Sequence, residues 1–293
     1  MKTLLLCALC TAVLLASPVM AQDDQPTDAL VPPTSASDYT AAQLDRVIAG
    51  DWRPAAQRAR DVWRHPKATL EFFQLRPDQT VIEITPGGGW YTQILAPLLR
   101  DNGHYIAAEK QPATDTEARN DDSALRKLFV AHPAQFDRAR IVTFDPKAPA
   151  LGAPASADRV LTFRNVHNWA MDGTAGAMFK AFYTVLKPGG VLGVVDHRAD
   201  AGASLDEVRR TGYLPVDYVV KLATDAGFVL DARSEINANP KDSHDHPKGV
   251  WTLPPTLAMG DQDKSSYQAI GESDRMTLRF VKPEAPANAA SAR

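Results

Sequence analysis

Cysteine is nearly absent. The 293 residues contain two, Cys7 and Cys10, and both lie among the first 21. That stretch begins with the positive Met1-Lys2, continues as an apolar core from Leu4 to Ala16, and reaches a cleavage-like Val19-Met20-Ala21 before Gln22. It has the plan of a secretory signal peptide. Its apolar core is shorter than the roughly 20 residues a membrane helix needs, so residues 1–21 are expected to be cleaved and the protein exported, to the periplasm or beyond. The mature chain would then hold no thiol, which excludes disulfides, thiolate catalysis and cysteine metal sites.

Basic runs are missing too. The formal charge is -3, and after loss of Lys2 the mature chain sets 31 basic against 35 acidic residues, or -4. With no Lys/Arg cluster and no aromatic stacking series, nucleic acid is not an expected partner. No further apolar run is long enough for stable membrane insertion after cleavage, and no internal repeat is present. Residues 22–38 form a polar, proline-bearing linker, and residues 284–293 a Pro/Ala-rich tail expected to be disordered. The remainder, 39–283, is long enough for one full-sized domain. It divides into a helical cover at 39–79, a core at 80–236, a loop at 237–275 and a last strand at 276–283.

What the chain does have is centred on Thr80 to Leu98, TVIEITPGGGWYTQILAPL. Val81 to Ile84 is a short β-branched run that reads as a buried parallel strand. It passes through Thr85-Pro86 into Gly87-Gly88-Gly89, and Trp90 to Leu98 then has helical spacing. Strand, glycine turn and helix together let backbone approach a ligand closely, with helix N–H groups aimed at it.

Further strands are predicted at His104–Glu109, Arg140–Asp145, Arg159–Arg164 and Val191–Val195. Helices are predicted at Ser123–Ala131, Ala175–Leu186 and Pro215–Ala226, and antiparallel strands at Phe228–Ile236 and Met276–Val281. This alternation predicts an α/β fold: a doubly wound, Rossmann-like seven-stranded sheet, mostly parallel with an antiparallel last strand, helices on both faces. Ligands bind such sheets at the carboxyl ends of the strands, near the switch in strand order.

Ahead of the sheet, Thr40 and Gln43 suggest a capping box, and helices are expected over Pro54–His65 and Ala68–Leu75. If they covered the carboxyl ends, Arg60, Asp61, Arg64 and His65 would reach a ligand; a solvated face with local ion pairs is the plainer expectation. The proline- and histidine-bearing loop Asn237–Arg275 is long enough to suggest a functional cover. It supplies Asp242, His244, Asp245 and His246, metal-ligand types that His167, Asp196 and His197 could join from the strands. Without a supporting spacing pattern, the DSHDH run reads as solvated and no metal is assigned.

A dinucleotide fingerprint wants a third small residue where Thr92 stands, which disfavours a dinucleotide-dependent oxidoreductase. Glu83-Ile-Thr-Pro-Gly-Gly-Gly instead resembles motif I of class I S-adenosylmethionine-dependent methyltransferases. Glu109 and Asp145 match the acids that end the second and third strands there, and LKPGGVLGVVDH, Leu186 to His197, is similar to the fifth-strand segment. The block resembles an exported subgroup with PGGGWYT and VVDHR segments. The resemblance implies S-adenosyl-L-methionine as cofactor, held by Glu83, Thr85, Pro86, Gly87, Gly88, Gly89, Glu109, Asp145 and Asn165. Thr85 replaces the motif's first glycine, so a different backbone angle or a displaced ligand is expected. Catalytic candidates are His167, Asn168, Asp196 and His197, acting on a small-molecule or cell-envelope acceptor. A methyltransferase-like binding protein without catalysis is the alternative.

Overall fold

The computed structural model describes residues 35–112 and 123–284, so the expected signal peptide, most of the expected linker and nearly all of the expected tail lie outside the described residues. Seven strands form one sheet: β1 Thr80–Ile84, β2 His104–Lys110, β3 Arg140–Phe144, β4 Ala157–Phe163, β5 Leu186–His197, β6 Val229–Ser234 and β7 Arg275–Val281. Their order is β3-β2-β1-β4-β5-β7-β6. β1 pairs in parallel with both β2 and β4, so the order reverses between β1 and β4. The carboxyl ends of these two strands are the switch point at which such sheets open a crevice.

β7 inserts between β5 and β6 and is antiparallel to both. It is thus an inner strand and its burial is nearly complete, whereas β6 is the half-exposed edge. β5 begins at Leu186, earlier than predicted, because Lys187 to Gly190 loop out as a bulge between the pairings to Ala157 and Arg159. The LKPGG turn is present, but it interrupts a strand and does not precede one.

Two apolar cores lie on the two faces of the sheet. One packs Ile82, Ile84, Val160, Leu192 and Val194 against Phe179 and Phe182 of a helix over Ala175–Val185 and Val219 of a helix over Val216–Ala226. The latter ends at Gly227, whose φ of 105° closes the turn. The other packs Val81, Leu161 and Val195 against Leu44, Leu70, Ile94, Leu95 and Leu125. These come from helices over Ala36–Ile48, Pro66–Phe72, Thr92–Leu99 and Ala124–Ala131.

Four further details differ from the sequence reading. The first helix is capped by Ser35, which accepts from the Asp38 N–H, five residues before the expected Thr40 box. The helix over Pro54–His65 is two single turns, Ala55–Arg58 and Asp61–Arg64, and His65 ends it at a positive φ of 39°. The region 237–275 is not structureless: it contains a 3-10 turn at Gly249–Thr252 and a helix at Lys264–Ile270. A helix at Leu205–Thr211 with a Ser204/Glu207 capping box was not predicted. No described helix is long and apolar enough to cross a membrane.

Candidate functional site

β1 ends at Ile84, and the next residue already departs from strand geometry. Thr85 sits at φ 49°, Gly87 at 58° and Gly89 at 76°. Left-handed backbone is routine for glycine but costs a residue with a Cβ roughly 1–2 kcal/mol. Thr85 therefore keeps the kind of backbone angle a glycine allows and stores strain there; the expected change of angle does not occur. Its N–H donates to Ala108 O at 2.7 Å, which fixes the turn to β2, while its Oγ1 is buried with no hydrogen-bond partner. Relief of strain should outweigh the ~0.5–1 kcal/mol entropic cost of glycine. Thr85→Gly is accordingly expected to raise stability by up to about 1 kcal/mol in urea unfolding, and a loss would contradict the strain.

The glycines differ in what surrounds them. A Cβ on Gly89 would stand 3.0 Å from Leu128 Cδ2 and 3.1 Å from Leu125 Cδ1, so this glycine serves helix packing. A Cβ on Gly87 or Gly88 would meet nothing within 4 Å. Both face a cleft of about 240 Å³, lined also by Glu83, Thr85, Trp90, Tyr91, Phe163, Arg164 and Asn165, and by Gln57, Arg60 and Arg64 from the N-terminal turns. Those turns thus cover the switch point and bring two arginines into it, contrary to the plainer expectation for Arg60 and Arg64. Asp61 instead pairs with Arg53 at 2.7 Å, and His65 is exposed.

Glu83 forms the floor. It is only 2% exposed, and its Oε2 accepts from Thr92 Oγ1 at 2.8 Å and Tyr105 Oη at 2.6 Å. Thr92 occupies the position where a dinucleotide turn wants a small residue, and here its hydroxyl holds the glutamate. Burial pushes the Glu83 carboxyl up to about 7, against the smaller opposing effect of the two hydroxyl bonds. None of the described residues donates to its Oε1.

Asn165 ties the two strand ends together: its Nδ2 donates to Ile84 O at 2.9 Å and to Thr162 Oγ1 at 3.2 Å. Tyr91 is mainly packing, stacked on Phe163 with centroids 3.6 Å apart and its hydroxyl donating to Arg64 O.

The arginines are the residues that sequence reasoning underrated. Glu272 accepts from Arg60 Nε at 2.7 Å and Arg64 Nε at 3.0 Å, and pairs with Arg275 Nη1 at 3.1 Å. Burial opposes its ionisation, but Arg275, Arg64, Arg60 and Arg164 prevail and hold the carboxyl down at about 2. Burial lowers Arg64 to about 9, with Arg164 adding to the effect and Glu272 opposing it. The Arg64 guanidinium also lies over the Trp90 ring, 4.6 Å from the centroid. Arg164 follows β4 at φ 63°, and its guanidinium makes no hydrogen bond among the described residues. The available signal was its place, a charge at the carboxyl end of a buried strand beside the switch point.

His167, Asp196 and His197 do come together, yet none of them lines this cleft. Asp196 accepts from the N–H groups of Val166 at 2.6 Å, His167 at 3.2 Å and His197 at 2.7 Å, and contacts His167 Nδ1 at 2.8 Å. It caps the short helix Val166–Met171, a role its distance of some thirty residues in sequence concealed. His197 Nδ1 meets Ser273 Oγ, and burial, then His167 and nearby arginines, push this imidazole well below its ordinary value, so it is neutral. His167, Asp196 and His197 are all buried and joined to one another at the ends of β4 and β5. Asn168, one helical position outward, is exposed.

Among the described residues these three also form one group whose metal-ligand atoms lie within 4.8 Å of one another. Both Asp196 oxygens are already occupied by N–H donors, so a cation would have to displace the helix cap. The loop residues do not join them. His246 Nε2 contacts Asp242 Oδ1 at 2.8 Å, and His244 lies between Asp200 and Asp274.

Glu109, partly exposed, sits near the carboxyl end of β2, level with Thr143 of β3. Asp145 is exposed just beyond β3, and its Oδ1 accepts from Lys147 N at 2.9 Å. Both lie at the carboxyl edge but outside the cleft lining.

The seven-stranded order with an antiparallel β7 is the Rossmann-like fold of class I methyltransferases. The chain is similar to a SAM-dependent methyltransferase from Aquifex aeolicus, at 13% identity and TM-score 0.50, covering 83% of this chain and 98% of that one. It is also similar to the [4+2]-cyclase SpnF, at 14% identity and TM-score 0.55, covering 85% and 96%. A third similar structure is Haemonchus contortus phosphoethanolamine N-methyltransferase 2 in complex with S-adenosyl-L-methionine, at 16% identity and TM-score 0.52 over 76% of this chain and 53% of that one. No family model matches the chain, and no curated protein matches it.

Proposed function

We propose that the protein is an S-adenosyl-L-methionine-dependent methyltransferase acting on a small-molecule or cell-envelope acceptor after export. The observation that carries the reading is the open space over Gly87 and Gly88, above a buried glutamate with one undonated oxygen. The residues fit the group. Glu83 would take the amino-acid ammonium, the Gly87-Gly88 backbone would lie against the ligand, and the unpaired Thr85 hydroxyl would find a partner. Glu109, near the edge, would take the ribose hydroxyls, and Asp145 would face the adenine.

When bound, the sulfonium supplies an electrophilic methyl carbon. The chain's share is to align the acceptor in line with it and exclude water, work that positioning alone performs. The N-terminal turns and Trp90 close the cleft for that purpose. Among the described residues no histidine lines the cleft.

Gly88 is the sharpest test, because its backbone is not left-handed and its Cβ position is empty. Gly88→Val is expected to melt within about 0.5 kcal/mol of the wild type, yet to lose S-adenosylhomocysteine binding by 100-fold or more in calorimetric titration, roughly 3 kcal/mol. Unchanged binding would place the ligand elsewhere. Because a cyclase shares the fold, methyl transfer itself must be followed, by release of labelled methyl to candidate acceptors.

A further inference from the structure

The cleft carries more positive charge than its own residues balance. Arg60, Arg64, Arg164 and Arg275 surround Glu272, and Asp196 is the further acid that acts on Arg164. Apart from Glu83, whose carboxyl burial pushes up to about 7, four cations therefore meet two anions. Glu272 spends both oxygens on Arg60, Arg64 and Arg275. Arg275 is otherwise satisfied by the backbone, donating to Ser273 O and Trp63 O.

The other three are not satisfied. Among the described residues Arg60 Nη2 and Arg64 Nη2 are buried without an acceptor. The Arg164 guanidinium, also lining the cleft, has no side-chain hydrogen bond among the described residues. Arg64 is 3% exposed, and a buried guanidinium with idle N–H groups is costly unless something fills them. A guanidinium presents paired N–H groups whose geometry matches a carboxylate or a phosphate.

A cofactor with one carboxylate and one ammonium, the latter on Glu83, would cancel only one of the two excess charges. We infer that Arg60, Arg64 and Arg164 form an anion-binding subsite for the methyl acceptor, which accordingly bears a carboxylate or phosphate group. The word acceptor rests on the methyl-transfer reading above; the anion site itself does not.

The test titrates the full chain with inorganic phosphate and with succinate at constant ionic strength, with and without saturating S-adenosylhomocysteine. Binding of at least one anion is expected, and which one binds identifies the group. Arg164→Gln should weaken it about ten-fold or more, the effect of losing one charge-assisted contact. Arg60→Gln, at the more exposed edge, should weaken it too and decides the matter should the first variant not fold. Anion binding should persist when S-adenosylhomocysteine is saturating. Three outcomes overturn the inference: neither anion binds, both variants bind as the wild type does, or S-adenosylhomocysteine and the anion exclude each other. The last would make the arginines the holder of the cofactor carboxylate. Failure of S-adenosylhomocysteine to bind at all would sink methyl transfer, and the two variants would still judge the anion site.

Discussion

Glu272→Gln is expected to cost about 3–5 kcal/mol at pH 7, the usual penalty for leaving a buried charge without its partner. Its carboxylate is 2% exposed and serves three arginines by direct contact. At roughly 2–4 °C per kcal/mol for a domain of this size, the melting temperature should fall by on the order of 10 °C. The folded carboxyl titrates near 2 and its ordinary value is 4.5. A depressed folded value stabilises above the unfolded one and loses that stabilisation as pH falls. The gap between variant and wild type should therefore be full above about pH 5 and shrink steadily toward pH 2. Urea unfolding at pH 7 and pH 3 measures both ends. A loss below 1 kcal/mol at pH 7 would mean that the arginines find other acceptors.

Glu83→Gln should act in the opposite sense. The folded Glu83 carboxyl titrates near 7 against an ordinary 4.5. The folded state thus holds the proton more tightly than the unfolded one, and its relative stability declines as pH rises from 4.5 and levels off beyond 7. The shift corresponds to about 3 kcal/mol. The glutamine, which still accepts from Thr92 and Tyr105, should match the wild type at pH 4 and exceed it by up to about 3 kcal/mol at pH 8. The same change should lose cofactor, since no carboxylate remains for an ammonium. In the wild type, binding at pH 6 should release a proton, visible as a dependence of calorimetric heat on buffer ionisation. A variant no more stable than the wild type at pH 8 would show that Glu83 is not strained by burial. A gain in stability accompanied by a loss of binding is the signature of a site selected against the apo fold's own preference.

The sheet was legible because its strands are short β-branched runs separated by turn residues, and alternation with helices leaves few topologies. The Thr80–Leu98 unit was equally plain, although which of its glycines face open space was not. What the pattern could not carry were contacts between remote residues. Asp196 was singled out by its place at a strand end, and nothing in the sequence showed its four N–H donors from residues 166, 167 and 197. His167 looked like a base for the same reason of position. Arg164 was passed over because a strand's last residue is ordinarily just its end. Glu272 sat in a segment read as loop, and its partners Arg60 and Arg64 stood in turns read as solvated. Local spacing finds elements and glycine turns; charge compensation across 200 residues leaves no periodic trace.

Glu272 meets Arg60 and Arg64 across 212 and 208 residues of chain. A ribosome adding ~5–20 residues per second exposes those arginines on the order of 10–40 s before their carboxylate is made. Until β7 docks between β5 and β6, the turns carrying Arg60 and Arg64 have nothing to neutralise them and no reason to settle over the switch point. The sheet's first four strands can form early, but the cleft is finished last. A nascent or shortened form that stops before Glu272 would own the glycine turn without its roof. Competence to bind is thereby tied to the arrival of Glu272 and β7.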